Sequence, residues 1–341
     1  MCGIKPTISK EERFLVDILF CEKLFSAKFI KSLNFDLLSI IASSHLIIPT
    51  LYYNLRKKKL LKYIPAEFAQ YIKEIFLLNK ERNKILLDEI NEISIILRKG
   101  GIKYTLLKGS SIVYSKLLDD PGNRMVGDID ILISPEDVET AIELLEKNNY
   151  YTKYKYKKWK ANVYPNFINK NKIFAIDLHI YALPKKFKKT LDSKKLVLNN
   201  FSFKKDVSHL CPEDEFKYAI YNYQFSDYGF IKASYSYRKI YDVYNLYKKI
   251  NLPNMKIDRY MLGFFILANC LNINLGDTNN LNYKFKLYRK RFVLKKEVYI
   301  YRKFDNIIVS LVIFFDTIFY KLLEFIFNKD YRKHVFEKIK N

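Results

Sequence analysis

Cysteine, glycine, proline and tryptophan are all scarce in this chain of 341 residues. The four cysteines (Cys2, Cys21, Cys211, Cys270) are scattered, and no pair has C-x-x-C spacing. Common zinc and dithiol motifs are thereby excluded. So few thiols do not build a disulfide framework, and a reducing cytoplasm is the expected location. Nine glycines and nine prolines exclude a collagen-like or linker-dominated chain. The first ten residues lack the apolar segment of a secretory signal. The longest apolar run, Ile307 to Tyr320, contains Asp316. It is shorter than the roughly 20 residues a membrane-crossing helix needs, so no transmembrane segment is expected.

Negative charge is also short. Against 60 basic residues stand 36 acidic ones, a net charge of +24. Nucleic acid, an anionic membrane or a polyphosphate ligand are the physical readings of such an excess. Only 11 of the basic residues are arginine. With so many Lys, Ile, Asn and Tyr, compositional bias and a solvated basic surface explain the excess equally well. Apolar residues make up 49% of the chain, enough for a folded core.

Three regions follow from the patterning: a helical region over 1–100, an α+β core over 101–210, and a helical region with a basic tail over 211–341. Ser9 and Glu12 have capping-box spacing. Phe35 to Ser43 reads as helix, and so does Pro65 to Arg98, where apolar residues recur at helical spacing up to the stop at Gly100-Gly101. The middle region reads β-α-β-α-β-β-β. Its strands are 103–107, 128–133, 150–156, 163–168 and 173–180, and its helices are 112–118 and one opened by Ser134 and Pro135. Pro212-Glu213-Asp214-Glu215 starts the return to helices, with acids in the first turn. Between Tyr283 and Asn341 there are 15 basic and 6 acidic residues. An amphipathic helix on a membrane surface is one reading of this end. A buried helix with a solvated basic face is the expected one.

The segment that carries chemistry is Gly127-Asp128-Ile129-Asp130-Ile131-Leu132. In a strand, Asp128 and Asp130 project to one face. Two carboxylates held together repel, unless a divalent cation lies between them. Phe174-Ala175-Ile176-Asp177-Leu178-His179 is a second strand with an acid among apolar residues, and Asp177 and His179 share a face. If the two strands are neighbours, Asp128, Asp130 and Asp177 could hold two ions, Mg²⁺ or Mn²⁺. Neutralising Asp130 is then expected to leave stability equal or slightly higher. Lys108-Gly109-Ser110-Ser111 lies where a strand meets a helix. Backbone N–H groups there attract phosphate, Gly109 permits close approach, and Lys108 and Arg124 add positive charge.

Taken in order, Gly109-Ser110, Asp128-Ile129-Asp130 and the later strand acid Asp177 resemble the DNA polymerase β-like nucleotidyltransferase superfamily. Within it, Leu107 to Tyr114, Arg124, and Ile176-Asp177-Leu178-His179 resemble the bacterial family of uncharacterised nucleotidyltransferases. So do Arg82-Asn83, Pro212 to Glu215, and Arg238-Lys239-Ile240-Tyr241-Asp242. The resemblance extends over about residues 10–250. It implies a small mixed sheet with flanking helices. It also implies a metal-dependent transfer of a nucleoside monophosphate from an NTP, with ATP among the candidates, and release of pyrophosphate. Asp128, Asp130 and Asp177 would be catalytic and metal-binding. Lys108, Gly109, Ser110 and Arg124 would bind nucleotide, and His179 would orient. The acceptor stays open among a small molecule, peptide, protein or RNA. The alternative is a retired active site on a protein that binds nucleic acid or another anionic partner. Arg238 and Asp242, at i and i+4, read as a helix pair.

Overall fold

Helix starts follow the local caps. Ser9 accepts from the Glu12 N–H at 3.0 Å and opens α1 (Lys10–Phe20). Ser26 and Asn34 do the same for α2 (Ala27–Lys31) and α3 (Phe35–Ser44). Pro49 stands in the first turn of α4 (Ile48–Lys57). The long helix α5 (Ala66–Lys99) runs about 51 Å at 1.5 Å per residue. It ends at Gly100, and Gly101 follows at φ +71°, where a side chain would be strained. The computed structural model describes the chain apart from residues 1–4, 24, 153–162, 201–206, 251–254, 277, 279, 280, 328, 330, 333, 334 and 337–341.

The sheet follows α5. It comprises β1 (Tyr104–Leu106), β2 (Ile129–Ile133), β3 (Val163–Phe167) and β4 (Ile176–His179), in the order β1-β2-β4-β3. β2 and β4 run parallel, while β1 and β3 are antiparallel to their neighbours. The sheet is thus small and mixed, and the fold is α+β with helices predominating. Two helices belong to this region: α6 (Lys108–Tyr114) and α7 (Val138–Lys147). Helix α6 starts four residues earlier than its apolar pattern suggests. Pro135–Asp137 forms a 3-10 turn before α7, and Ser134 makes no side-chain cap bond. Of the strand expected over 150–156, Tyr151 bridges Ile168, and 153–156 lie outside the described residues.

The remaining described helices are α8 (Ser193–Asn200), α9 (Pro212–Phe225), α10 (Gly229–Lys232), α11 (Tyr237–Tyr247), α12 (Arg259–Cys270), α13 (Tyr283–Glu297) and α14 (Tyr299–Phe327). The strand alternation divides the apolar residues between two cores. Ile129, Ile131 and Ile133 pack with Leu86, Ile90 and Leu97 of α5. Leu132, on the other face, joins the helical core with Phe14, Phe216 and Phe265. The N- and C-terminal helices share that second core: the buried Glu12 accepts hydrogen bonds from Tyr235 at 2.6 Å and Tyr237 at 2.8 Å. The face that carries Asp130 is therefore turned toward the C-terminal helices.

Helix α14 is longer than its apolar run and lies at the surface rather than buried. The apolar run 307–320 is the middle of a 29-residue helix, long and apolar enough by length and composition to cross a membrane. The helix is also not buried: only 6% of its most apolar window is covered. Asp316, which interrupts the run, and Asp305, just before it, form ion pairs with Lys186 and with Arg291 and Lys295.

Candidate active site

Helix α5 positions both acid-bearing strands. Asn79 donates to the carbonyl of Gly122 at 2.8 Å, and Asn83 donates to those of Pro121 and Arg124 at 2.6 and 2.7 Å. Arg82 donates to the Val126 carbonyl and lies over the Phe174 ring at 4.4 Å. These bonds anchor the long loop before β2. One turn and a half further along, the buried Glu89 carboxylate accepts from the N–H groups of Ile173 at 2.9 Å and Phe174 at 3.2 Å, just before β4. Backbone groups that a loop would leave unpaired are satisfied in this way, which fixes the approach of each strand.

In the parallel pair, Asp130 lies directly opposite Asp177, and Leu132 opposite His179. Asp130, Asp177 and His179 each offer a ligand atom, all within 4.8 Å of one another. His179 Nε2 is 2.8 Å from Asp130 Oδ1, and Lys108 Nζ is 2.7 Å from the same oxygen. Burial works to raise the Asp130 carboxyl. The His179 hydrogen bond and Lys108 outweigh it, and its pKa stands below the usual value. Asp128 stands at the exposed lip, just before β2, outside this closest group. Its pKa is raised, by desolvation first and then by Asp130 and Asp177. Because the residue is exposed, the two neighbouring carboxylates are the stronger physical cause. The pKa of Lys108 is raised: burial lowers it, but Asp130, Asp177 and Asp128 together prevail. The ammonium thus occupies the position to which the acids attract a cation. Two carboxylates and an imidazole, with a third carboxylate alongside, are a donor set that could hold a metal ion.

Gly109 and Ser110 are buried at the start of α6. The Ser110 hydroxyl donates to the Asp128 carbonyl at 3.0 Å and accepts from the Asp130 N–H at 3.3 Å, tying α6 to β2. A Cβ on Gly109 would meet both Val126 methyls at 3.1 Å, so close packing against Val126 is the immediate reason for glycine here. Lys108 itself has φ +52°, an uncommon backbone for a lysine, which aims its side chain from the strand–helix junction.

Arg124 does not stand free beside this group. Its guanidinium is 5% exposed and grips Asp242 of α11 at 2.9 Å from Nε and 2.9 Å from Nη2. Arg124 thus forms a two-pronged strut between the loop and α11, and the hydrogen-bonded partner of Asp242 is Arg124. Further positive charge near the acids comes from elsewhere. A cavity of about 420 Å³ is lined by Lys108 and His179 on one side and by Asn222, Asp227, Arg238 and Lys239 on the other. Arg238 Nε is buried without a hydrogen-bond partner among the described residues, and Lys239 Nζ lies 3.9 Å from Asp227. Burial lowers Lys239 to about 8, and burial with Arg124 lowers Arg238 to about 10. Within the cavity lining, Lys108, Arg238 and Lys239 face one carboxylate, Asp227. A larger cavity, about 650 Å³, lies among α1, α4 and α11 and has none of the acids in its lining.

A family model described as an uncharacterised nucleotidyltransferase matches residues 31–260. The chain belongs to this family. No curated protein and no solved structure matches it. The matched span contains every residue of the acid group and of the cationic cavity, and it stops at the start of α12. Glu89 carried no motif signal, and Lys239 stood within the Arg238–Asp242 motif without a role of its own. A lysine within an apolar helix face, and an acid on the core side of α5, were the available hints.

Proposed function

We propose that this chain transfers a nucleoside monophosphate from an NTP to an acceptor. The acceptor's nucleophilic atom bonds to the α-phosphorus, the bond from that phosphorus to the β-phosphate oxygen breaks, and pyrophosphate leaves. The single observation that carries this reading is the meeting of Asp130, Asp177 and His179 within 4.8 Å on adjacent parallel strands, inside the family span. Asp128, Asp130 and Asp177 would hold the divalent ions, whose charge would offset that of the phosphates. Asp177 accepts the proton of the acceptor. His179 orients Asp130 through its 2.8 Å hydrogen bond. Lys108 lies on a long, flexible stem and turns from Asp130 to a phosphate oxygen when nucleotide arrives. Arg238 and Lys239 face the pyrophosphate end or an anionic acceptor across the cavity. Gly109 and Ser110 hold the Lys108 junction against β2. Most of this catalysis is positioning and electrostatics. The three free cysteines among the described residues accord with a cytoplasmic enzyme.

Incubation with each α-labelled NTP, Mg²⁺ or Mn²⁺ and total cell extract tests the reading. Label appearing on a macromolecule or small molecule supports it and names the acceptor class. Metal-independent binding of nucleic acid with no label transfer under any condition would favour the alternative, a binding protein with a retired site.

A further inference from the structure

Helix α14 wears its polarity in reverse. A helix on the surface of a soluble protein turns its apolar stripe inward. In α14, Phe304, Ile308, Leu311, Phe315, Phe319 and Leu322 follow at intervals of three and four, so they share one face, and every one is exposed. Phe315 and Phe319 are 63% and 65% accessible.

The opposite side is ionic. The three acids of the helix are Asp305, Asp316 and Glu324. Asp305 pairs with Arg291 at 2.6 Å and Lys295 at 2.8 Å, Asp316 with Lys186, and Glu324 with Lys185 at 2.9 Å. Asp305 and Val309 are buried against the body. With its acids paired, the helix shows Arg302, Lys303 and Lys321 as its exposed charges. Lys284, Lys286 and Lys290 of α13 add an exposed basic shoulder, and Tyr283 and Tyr299 are exposed beside it.

We infer that α14 lies flat on an anionic lipid bilayer, with its apolar side at the acyl-chain boundary and its acid side held to the protein body. Apolar residues flanked by lysine, arginine and tyrosine are the composition of an interfacial helix. Charge selects this occupant over a second copy of the chain, because two such faces would bring together cations with no counter-charge. The ion pairs select lying over crossing. They tie the helix to the body from Asp305 to Glu324, a length of about 28 Å at 1.5 Å per residue and close to the ~30 Å thickness of the hydrocarbon core. A crossing helix would have to leave those partners or draw Lys185 and Lys186 into lipid. The same two lysines directly follow residues 181–184, which wall the 420 Å³ cavity. The membrane face and the candidate active site are therefore joined by one short segment.

Flotation of the full chain tests this, with vesicles of phosphatidylcholine alone and vesicles that also contain phosphatidylglycerol. The chain is expected to float with the anionic vesicles and much less with the neutral ones. The pair Phe315→Ser and Phe319→Ser should weaken binding about tenfold or more, as buried apolar area is lost. Arg302→Glu with Lys303→Glu should remove the preference for anionic lipid. All four positions are exposed, so thermal unfolding without lipid should match the wild type and guard against misfolding. Failure to float with either vesicle would overturn the inference. So would a wild-type dimer in solution that the Phe315/Phe319 pair abolishes, which would assign the face to a second copy. Retention in the bilayer after alkaline extraction would replace lying with crossing.

Discussion

Lys108 Nζ, at the junction between β1 and α6, lies 2.7 Å from Asp130 Oδ1 on β2. That ion pair reverses an expectation about the acid group. Asp130 is not a carboxylate strained by its neighbours, because Lys108 pairs with it and His179 hydrogen-bonds to it. Asp130→Asn should therefore destabilise the metal-free protein by about 2 kcal/mol, the usual cost of losing hydrogen bonds to a charged group. Asp128 bears the repulsion instead, and Asp128→Asn should leave stability equal or raise it by about 0.5 kcal/mol. Chemical denaturation of both variants in metal-free buffer checks the opposite signs.

Arg124 and Asp242 form a buried pair, 5% and 2% accessible. Removal of one partner strands the other charge. Arg124→Met should cost about 3–5 kcal/mol, and Arg124→Met with Asp242→Leu less than the sum of the single changes. A double-mutant cycle by urea unfolding measures the coupling. If Arg124→Met instead weakens nucleotide binding with stability untouched, the strut assignment is wrong.

Gly109 is crowded by Val126. Gly109→Val should destabilise by about 1–3 kcal/mol through overpacking, and Val126→Ala should recover part of the loss. Recovery of the melting temperature without recovery of nucleotide affinity would show that phosphate also needs the bare backbone at this position.

Glu215 gives the stability a pH dependence. It is buried beneath α6, accepts a hydrogen bond from Ser111, and burial pushes its pKa up to about 8 from 4.5. The folded chain keeps the proton to about pH 8, whereas the unfolded chain releases it near 4.5. Between those values the unfolded state binds fewer protons, so this group's contribution is complete below 4.5 and is lost as pH rises through 8. Glu215→Gln should flatten that decline, and melting curves from pH 5 to about pH 9 show whether it does.

The legible parts of this protein were those written in local patterns. The alternation of Ile129, Ile131 and Ile133 with Asp130 marks β2 and its two faces, and Ile176 to His179 does the same for β4. That these strands are neighbours was an assumption of the acid group, and the register pairs them in parallel. Partners distant in sequence were illegible. Arg124 and Asp242 are 118 residues apart, and nothing near either announces the other. Glu215 looked like an acid in a first helical turn, but packing of α9 under α6 buries it. The apolar run 307–320, which contains Asp316, was read as too short to cross a membrane, while helix α14 extends over Tyr299–Phe327. The cationic partners of Asp305 and Asp316 stand in α13 and at Lys186, and with them the helix continues through both acids.

The account rests on the acid group acting on a nucleoside triphosphate. Pyrophosphate release from NTP, measured with and without Mg²⁺ in the presence of cell extract, tests it most directly in the wild type and in Asp177→Asn. Asp177 lies opposite Asp130 in the parallel register and is partly accessible, so the conservative change should leave the fold intact. The account predicts Mg²⁺-dependent release by the wild type and a loss of at least about a hundredfold in the variant, as for removal of a group that stabilises transition-state charge. Equal release by a folded Asp177→Asn protein would contradict it.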